Sequence, residues 1–124
     1  MLNIISTVSQ VIIALGLLNV WVLRFNKATP YRGGIAKTMR EEFAEYDLPA
    51  WSCYVIGFLK ITASLLLLAG IYFPALTLPS AVFILFLMLA AFTMHRIIHD
   101  PILKALPALS LLALSTVVVV IQML

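Results

Sequence analysis

Charged residues are missing from most of this chain, and that absence limits its fold more than any motif. No Lys, Arg, Asp or Glu occurs in 1–23, 61–94 or 105–124. A further apolar run, 51–72, carries one charge, Lys60. A helix needs about 20 apolar residues to cross a bilayer. Runs of that length stand near 2–23, 51–72, 75–94 and 103–123. Each must be helical, because lipid leaves an open strand edge unsatisfied. Composition agrees: 64% of the 124 residues are hydrophobic and 10% are charged, against about 45–50% and 25% in soluble domains. A water-soluble enzyme and a nucleic-acid binder are thereby excluded. The expected fold is an all-α bundle of four transmembrane helices in one membrane domain, with the lipid bilayer as its first partner.

The basic residues orient the bundle. Arg24, Lys27, Arg32, Lys37 and Arg40 lie in the first connection, and Arg96 and Lys104 lie near the third. The middle connection around Tyr72–Pro74 has none. Connections one and three share a side, and an excess of Lys and Arg marks the cytoplasmic side. Both termini are therefore expected outside. The first run lacks a preceding basic residue and exceeds a usual signal-peptide core, so it reads as retained. The single Cys53 allows no internal disulfide and no CxxC pair.

The long first connection carries its own pattern. After Pro30 and Gly33-Gly34, apolar Ile35, Met39, Phe43 and Tyr46 recur at helical spacing. Arg40 and other charged residues fill the remaining faces, and Lys37 and Glu41 form an i,i+4 pair of opposite charge. A short amphipathic helix near 35–47 is expected at the interface, with Met39, Arg40, Phe43 and Tyr46 as contact candidates. It reads as a packing strut or as a gate or docking helix. Asp47–Ser52 and Ala105–Ser110 share Leu-Pro-Ala, a faint sign of a 2+2 duplication.

Two sets of residues could carry chemistry. Lys60 stands within a span, where a central Lys costs on the order of 2.5–3.5 kcal/mol. It either snorkels toward Glu41, Glu42, Glu45 or Asp47, or faces inward to bond Ser110 or an anionic ligand. His95, Arg96, His99 and Asp100 form the second set. His95 and His99 share a helix face if the third span reaches them. That spacing suits a metal or haem, yet a two-His pair is not specific, and no metal ligand set and no cofactor is assigned. Asn3, Thr7 and Gln10 share one face of the first span, as bundle glue or as a polar path. Gly16, Gly57, Ala63 and Gly70 are candidates for close helix approach.

Arg32-Gly33-Gly34, Glu42 through Pro49, Ile56 through Ile61, Leu65–Gly70 and His95 through Leu109 together resemble the DoxX-like family. The resemblance covers about residues 30–110. It implies a small four-helix integral membrane protein of the bacterial cytoplasmic (inner) membrane. Many relatives carry Glu at the position of Lys60, so an acid-based role there does not transfer. The wider group includes members named for a quinol oxidase subunit, members of redox-linked membrane complexes, and a receptor-assembly chaperone branch. No catalytic residue carries over from them.

Three functions follow for test. The first is a non-catalytic accessory, scaffold or assembly subunit, working through membrane-protein partners or as a homo-oligomer. It fits the lack of a nucleophile, acid–base pair or metal set. The second is a redox-associated subunit binding quinone or haem near Lys60, His95 and His99. The third is a small transporter of an anionic or lipid substrate through Lys60, since no span offers the carboxylate that proton-coupled cation export uses.

Overall fold

The computed structural model describes residues 2–124, and every regular element among them is helical. The helices are α1 (Leu2–Leu18), α2 (Met39–Glu45), α3 (Ala50–Ala69), α4 (Thr77–Ile97) and α5 (Ile102–Met123). A π-turn, Asn19–Leu23, extends α1, and a 3₁₀ turn, Pro74–Leu76, leads into α4. Four segments are long and apolar enough to span a membrane: Leu2–Leu23, Ala50–Ala69, Pro74–Ile97 and Ile102–Met123. At about 1.5 Å per residue each matches a hydrocarbon core of about 30 Å. The spans form a closed ring in which α1 packs on α3 and α5, and α4 packs on α3 and α5.

The bundle is built for lipid rather than for water. Large apolar side chains such as Phe58, Phe86, Leu65 and Val120 face outward. Small and polar residues face inward, among them Ser6, Ser9, Ser64, Ser80 and Ser115. Lipid offers no apolar contrast between outside and inside, so helices associate through close packing and polar contacts. Two of these serines return hydrogen bonds to the preceding turn of their own helices: Ser64 Oγ donates to the Lys60 carbonyl at 2.8 Å and Ser115 Oγ to that of Leu111 at 2.7 Å. Gln10 joins α1 to α3 by donating to the Leu67 carbonyl at 3.0 Å. That carbonyl belongs to the last turn of α3, where intrahelical donors run out. Ser6 bonds Gln10 at 3.1 Å and receives Gln122 of α5 at 3.3 Å. The polar face of α1 is thus Ser6, Ser9 and Gln10, whereas Asn3 is exposed. Of the expected Asn3–Thr7–Gln10 stripe, only Gln10 is buried and bonded across helices; Thr7 is half-buried.

A packed cluster of Ile13, Leu17, Ala63, Leu67, Ala81, Ile84 and Val118 fills the half of the bundle near the termini. The other half is capped by residues 24–49 and holds a second packed cluster of Trp21, Met39, Phe43 and Cys53. There the π-turn redirects α1. The Arg24 amide donates to the Asn19 carbonyl at 2.9 Å, an i→i+5 bond, which widens one turn. Trp21 within that turn lies against Gly57 of α3, where a Cβ would stand 2.8 Å from the indole. Of the glycines and alanine expected to permit close approach, Gly57 serves a ring from another helix. Gly16 has ordinary room for a Cβ.

α2 is shorter than the amphipathic pattern implied. It starts at Met39, with the Thr38 hydroxyl accepting from the Glu41 amide at 3.2 Å. Ile35 lies outside it and is 88% exposed. The Glu41 carboxylate takes the Lys37 amide and the Thr38 hydroxyl, at 3.3 and 3.2 Å, in place of the Lys37 ammonium. The Leu-Pro-Ala echo also falls out of register. Pro49 precedes α3 as its N-cap, whereas Pro107 lies inside α5. The structural counterpart of Pro49 is Pro101, with φ/ψ of −66°/151° and −64°/153°. Each follows a left-handed residue two positions earlier, Asp47 (φ 58°) and His99 (φ 60°).

Gly57→Ala tests the Trp21 contact. An indole has no flexible end to move aside, and overpacking a fitted site costs about 1–3 kcal/mol. Thermal unfolding in a neutral detergent is expected to show that loss, with a shift in Trp21 fluorescence. Gly16→Ala is expected to leave both unchanged.

Candidate functional site

The capped end is closed by one buried polar network, and it starts from the sequence Arg32-Gly33-Gly34. Arg32 is 4% exposed. Its guanidinium binds the carbonyls of Arg24, Phe25 and Lys27, the last two at 3.3 and 3.1 Å. These carbonyls follow the end of the first span, and those of Arg24 and Phe25 also accept the Lys27 and Met39 amides, at 3.1 and 2.9 Å. Arg32 Nη1 also pairs with Glu42 Oε2 at 3.3 Å. Gly33 permits close approach to the Tyr46 ring, since a Cβ there would stand 2.9 Å from it. Its amide donates to Glu42 Oε1 at 2.9 Å. Gly34 adopts φ 55°, a left-handed conformation suited to glycine. That turn aims its amide at Asp100 Oδ1, 3.0 Å away, and its carbonyl accepts from the Lys104 ammonium.

Two further side chains join the carboxylates. Tyr46 Oη donates to Glu42 Oε1 at 2.9 Å and lies 3.3 Å from His95 Nε2. His95 Nδ1 lies 2.7 Å from Asp100 Oδ2. A carboxylate only accepts, so the proton of that bond sits on Nδ1. The left-handed His99 makes this contact possible, because it folds the Asp100 amide back onto the His95 carbonyl at 2.9 Å. The chain Glu42–Tyr46–His95–Asp100 therefore links α2, α4 and the start of α5. Burial, and the negative charge of Glu42 beside it, push the Tyr46 phenol well above its ordinary range, so it stays protonated.

Beneath this network lies a cavity of about 600 Å³ among all four spans and α2. Its walls include Gly16, Trp21, Ile56, Met88 and Leu111; Arg32, Met39, Glu42, Phe43, Tyr46, His95 and Lys104 border its capped side. Lys60 lines it too and is 8% exposed. Its Nζ stands 4.9 Å from the centre of the Trp21 ring, within the range of a cation–π contact. No described carboxylate lies within ion-pair distance of it, and no hydrogen bond joins it to Ser110, which borders the same cavity. Lys60 thus faces the interior, and neither of the protein partners expected for it is met.

The candidates divide cleanly. Lys60, Met39, Phe43, Tyr46 and His95 meet at the cavity, and Asp100 stands behind His95. Arg40, Arg96 and His99 are exposed and lie outside it. α4 ends at Ile97, so His95 and His99 do not share a helix face. Sequence spacing does not single out Arg32, Glu42, Trp21 and Lys104 as site residues. The i,i+4 pair Glu42 and Tyr46, on the face of Met39 and Phe43, was the available signal for a carboxylate turned inward.

Removing one partner of a buried ion pair costs about 3–5 kcal/mol. Arg32→Leu is expected to lower the unfolding temperature in detergent far more than Arg96→Leu. The raised phenol of Tyr46 gives a second test. Its stabilising contribution is complete below the unfolded value of about 10 and is lost as pH rises through the higher folded value. Wild type and Tyr46→Phe are expected to give the same tyrosinate absorbance until alkaline unfolding, where the wild type gains one more.

The DoxX-like family model matches residues 8–118. No curated protein and no solved structure matches the chain. The match spans nearly all of the chain, including most or all of each span, α2 and the capping network, and the protein belongs to the DoxX-like family.

Proposed function

We propose that this protein is a non-catalytic accessory subunit that holds a small amphiphilic molecule inside its bundle and acts through a membrane-protein partner. One observation carries the reading: a cavity of about 600 Å³ lies among the four spans at the capped half of the bundle, beside the packed cluster of Trp21, Met39, Phe43 and Cys53. That volume lies within the range of about 300–1,000 Å³ used by small-ligand sites. The wall is mainly apolar, and the polar groups gather at the capped side and at Lys60. A non-catalytic role is supported by how the reactive groups are engaged. Glu42, His95 and Asp100 are tied to one another and to Tyr46, Gly33 and Gly34. Cys53 is fully buried away from the cavity wall.

A second reading is a redox-associated subunit binding quinone. It is favoured by Tyr46 and His95 standing at the polar end of an apolar cavity. Haem is disfavoured, because His99 points away and both His95 nitrogens face protein partners. Transport through the bundle is disfavoured by the packed cluster around Ile13, Leu67 and Ile84, which closes the half near the termini. The capped end carries most of the basic residues, and that asymmetry supports an orientation with this end at the cytoplasmic face of a bacterial inner membrane and both termini outside.

Mass spectrometry of organic extracts from protein purified in a neutral detergent is expected to find one amphiphile at near-equal ratio. Quinone as that molecule supports the second reading, and a bundle free of any amphiphile removes both. A reporter fused after Leu124 is expected to be active only outside the cytoplasm.

A further inference from the structure

We infer that the cavity takes a single-chain amphiphile with one negative charge, a long-chain carboxylate, and that Lys60 is the group that holds its head. The inference rests on the ligand-holding reading above and names the ligand's class. Lys60 is more than nine-tenths buried, borders the cavity, and has no ion-pair or hydrogen-bond partner among the described residues. Its ammonium can give three hydrogen bonds, and Trp21 offers only a π face. A carboxylate drawn into the cavity would supply the missing acceptors and neutralise the charge, which in lipid is otherwise costly.

Glu42 does not fill this role. Its two oxygens already serve Arg32, the Gly33 amide and the Tyr46 hydroxyl. Lys104 is likewise engaged, with the Gly34 carbonyl and, at 4.0 Å, Asp100. One free cation at this depth suits a monoanion; a dianionic head would bring a charge with nothing opposite it. The rest of the wall is mainly apolar and includes Val20, Ile56, Leu87, Met88 and Leu111. These surfaces suit a chain or a flat apolar body.

The chain has two tryptophans, Trp21 and Trp51. Trp51→Phe leaves Trp21, which contacts Lys60, as the single reporter. Dibromostearate added to this variant in maltoside detergent is expected to quench Trp21 saturably. Its uncharged methyl ester is expected to bind at least tenfold more weakly. Lys60→Met is expected to weaken the acid about tenfold or more and leave the ester unchanged, while Lys60→Arg retains the acid. Thermal unfolding of Lys60→Met at or above the parent temperature shows that the fold is kept. Equal quenching by acid and ester, or undiminished binding of acid to Lys60→Met, overturns the carboxylate inference. Should the extracts contain a neutral amphiphile while dibromostearate fails to bind, the carboxylate is wrong and the ligand-holding reading stands. Should neither be found, both fall.

Discussion

The Glu42 carboxylate holds the capped end of the bundle together. It is buried, and each oxygen is used: one by the Arg32 guanidinium, the other by the Gly33 amide and the Tyr46 hydroxyl. A buried carboxylate is costly unless paired and fully hydrogen-bonded. Its three partners lie on the connection from the first span and on α2, so satisfying it folds that connection into a lid. Arg32 then caps the carbonyls beyond the first span, and Tyr46 passes the network on to His95 and Asp100. The lid, the end of α4 and the start of α5 are in this way one polar unit over an apolar cavity.

Part of the cavity wall, Asn19, Val20 and Trp21, belongs to an irregular helical turn. A regular α-helix through residue 23 would carry Trp21 to a different angle. The π-turn over Asn19–Leu23 instead sets its ring into the notch at Gly57 and under Lys60. π-turns recur at functional sites because they spend local regularity to aim one side chain. Here the aimed side chain is the floor on which an otherwise unpaired ammonium rests.

The ends of α2 and α4 use a common device. A left-handed residue is followed two positions later by a proline, as Asp47 by Pro49 and His99 by Pro101. The left-handed residue closes the helix. The proline opens the next one, where its missing amide costs nothing. The similarity is one of turn geometry. A match of Leu-Pro-Ala letters misplaces it, because Pro107 sits in the body of α5, where neighbouring helices make its lost hydrogen bond tolerable.

Much of the architecture is legible in the chain by itself. Apolar runs of about 20 residues, three of them (1–23, 75–94 and 105–124) free of charge and one (51–72) carrying only Lys60, determine the four spans, since lipid enforces helix wherever backbone groups have no water. Lys60 also stands out without a structure, because one charge among apolar residues must find a compensating group. Tertiary structure alone decided where that group is not: among the described residues no carboxylate lies within ion-pair distance of Lys60, which lines a cavity. It alone separated His95 from His99, because the helix end depends on a left-handed residue and not on periodicity. It alone turned Arg32, Glu42 and Lys104 inward. Residues 70 positions apart meet when Lys104 reaches the Gly34 carbonyl, and local spacing carries no information about which distant backbone group will satisfy a buried charge.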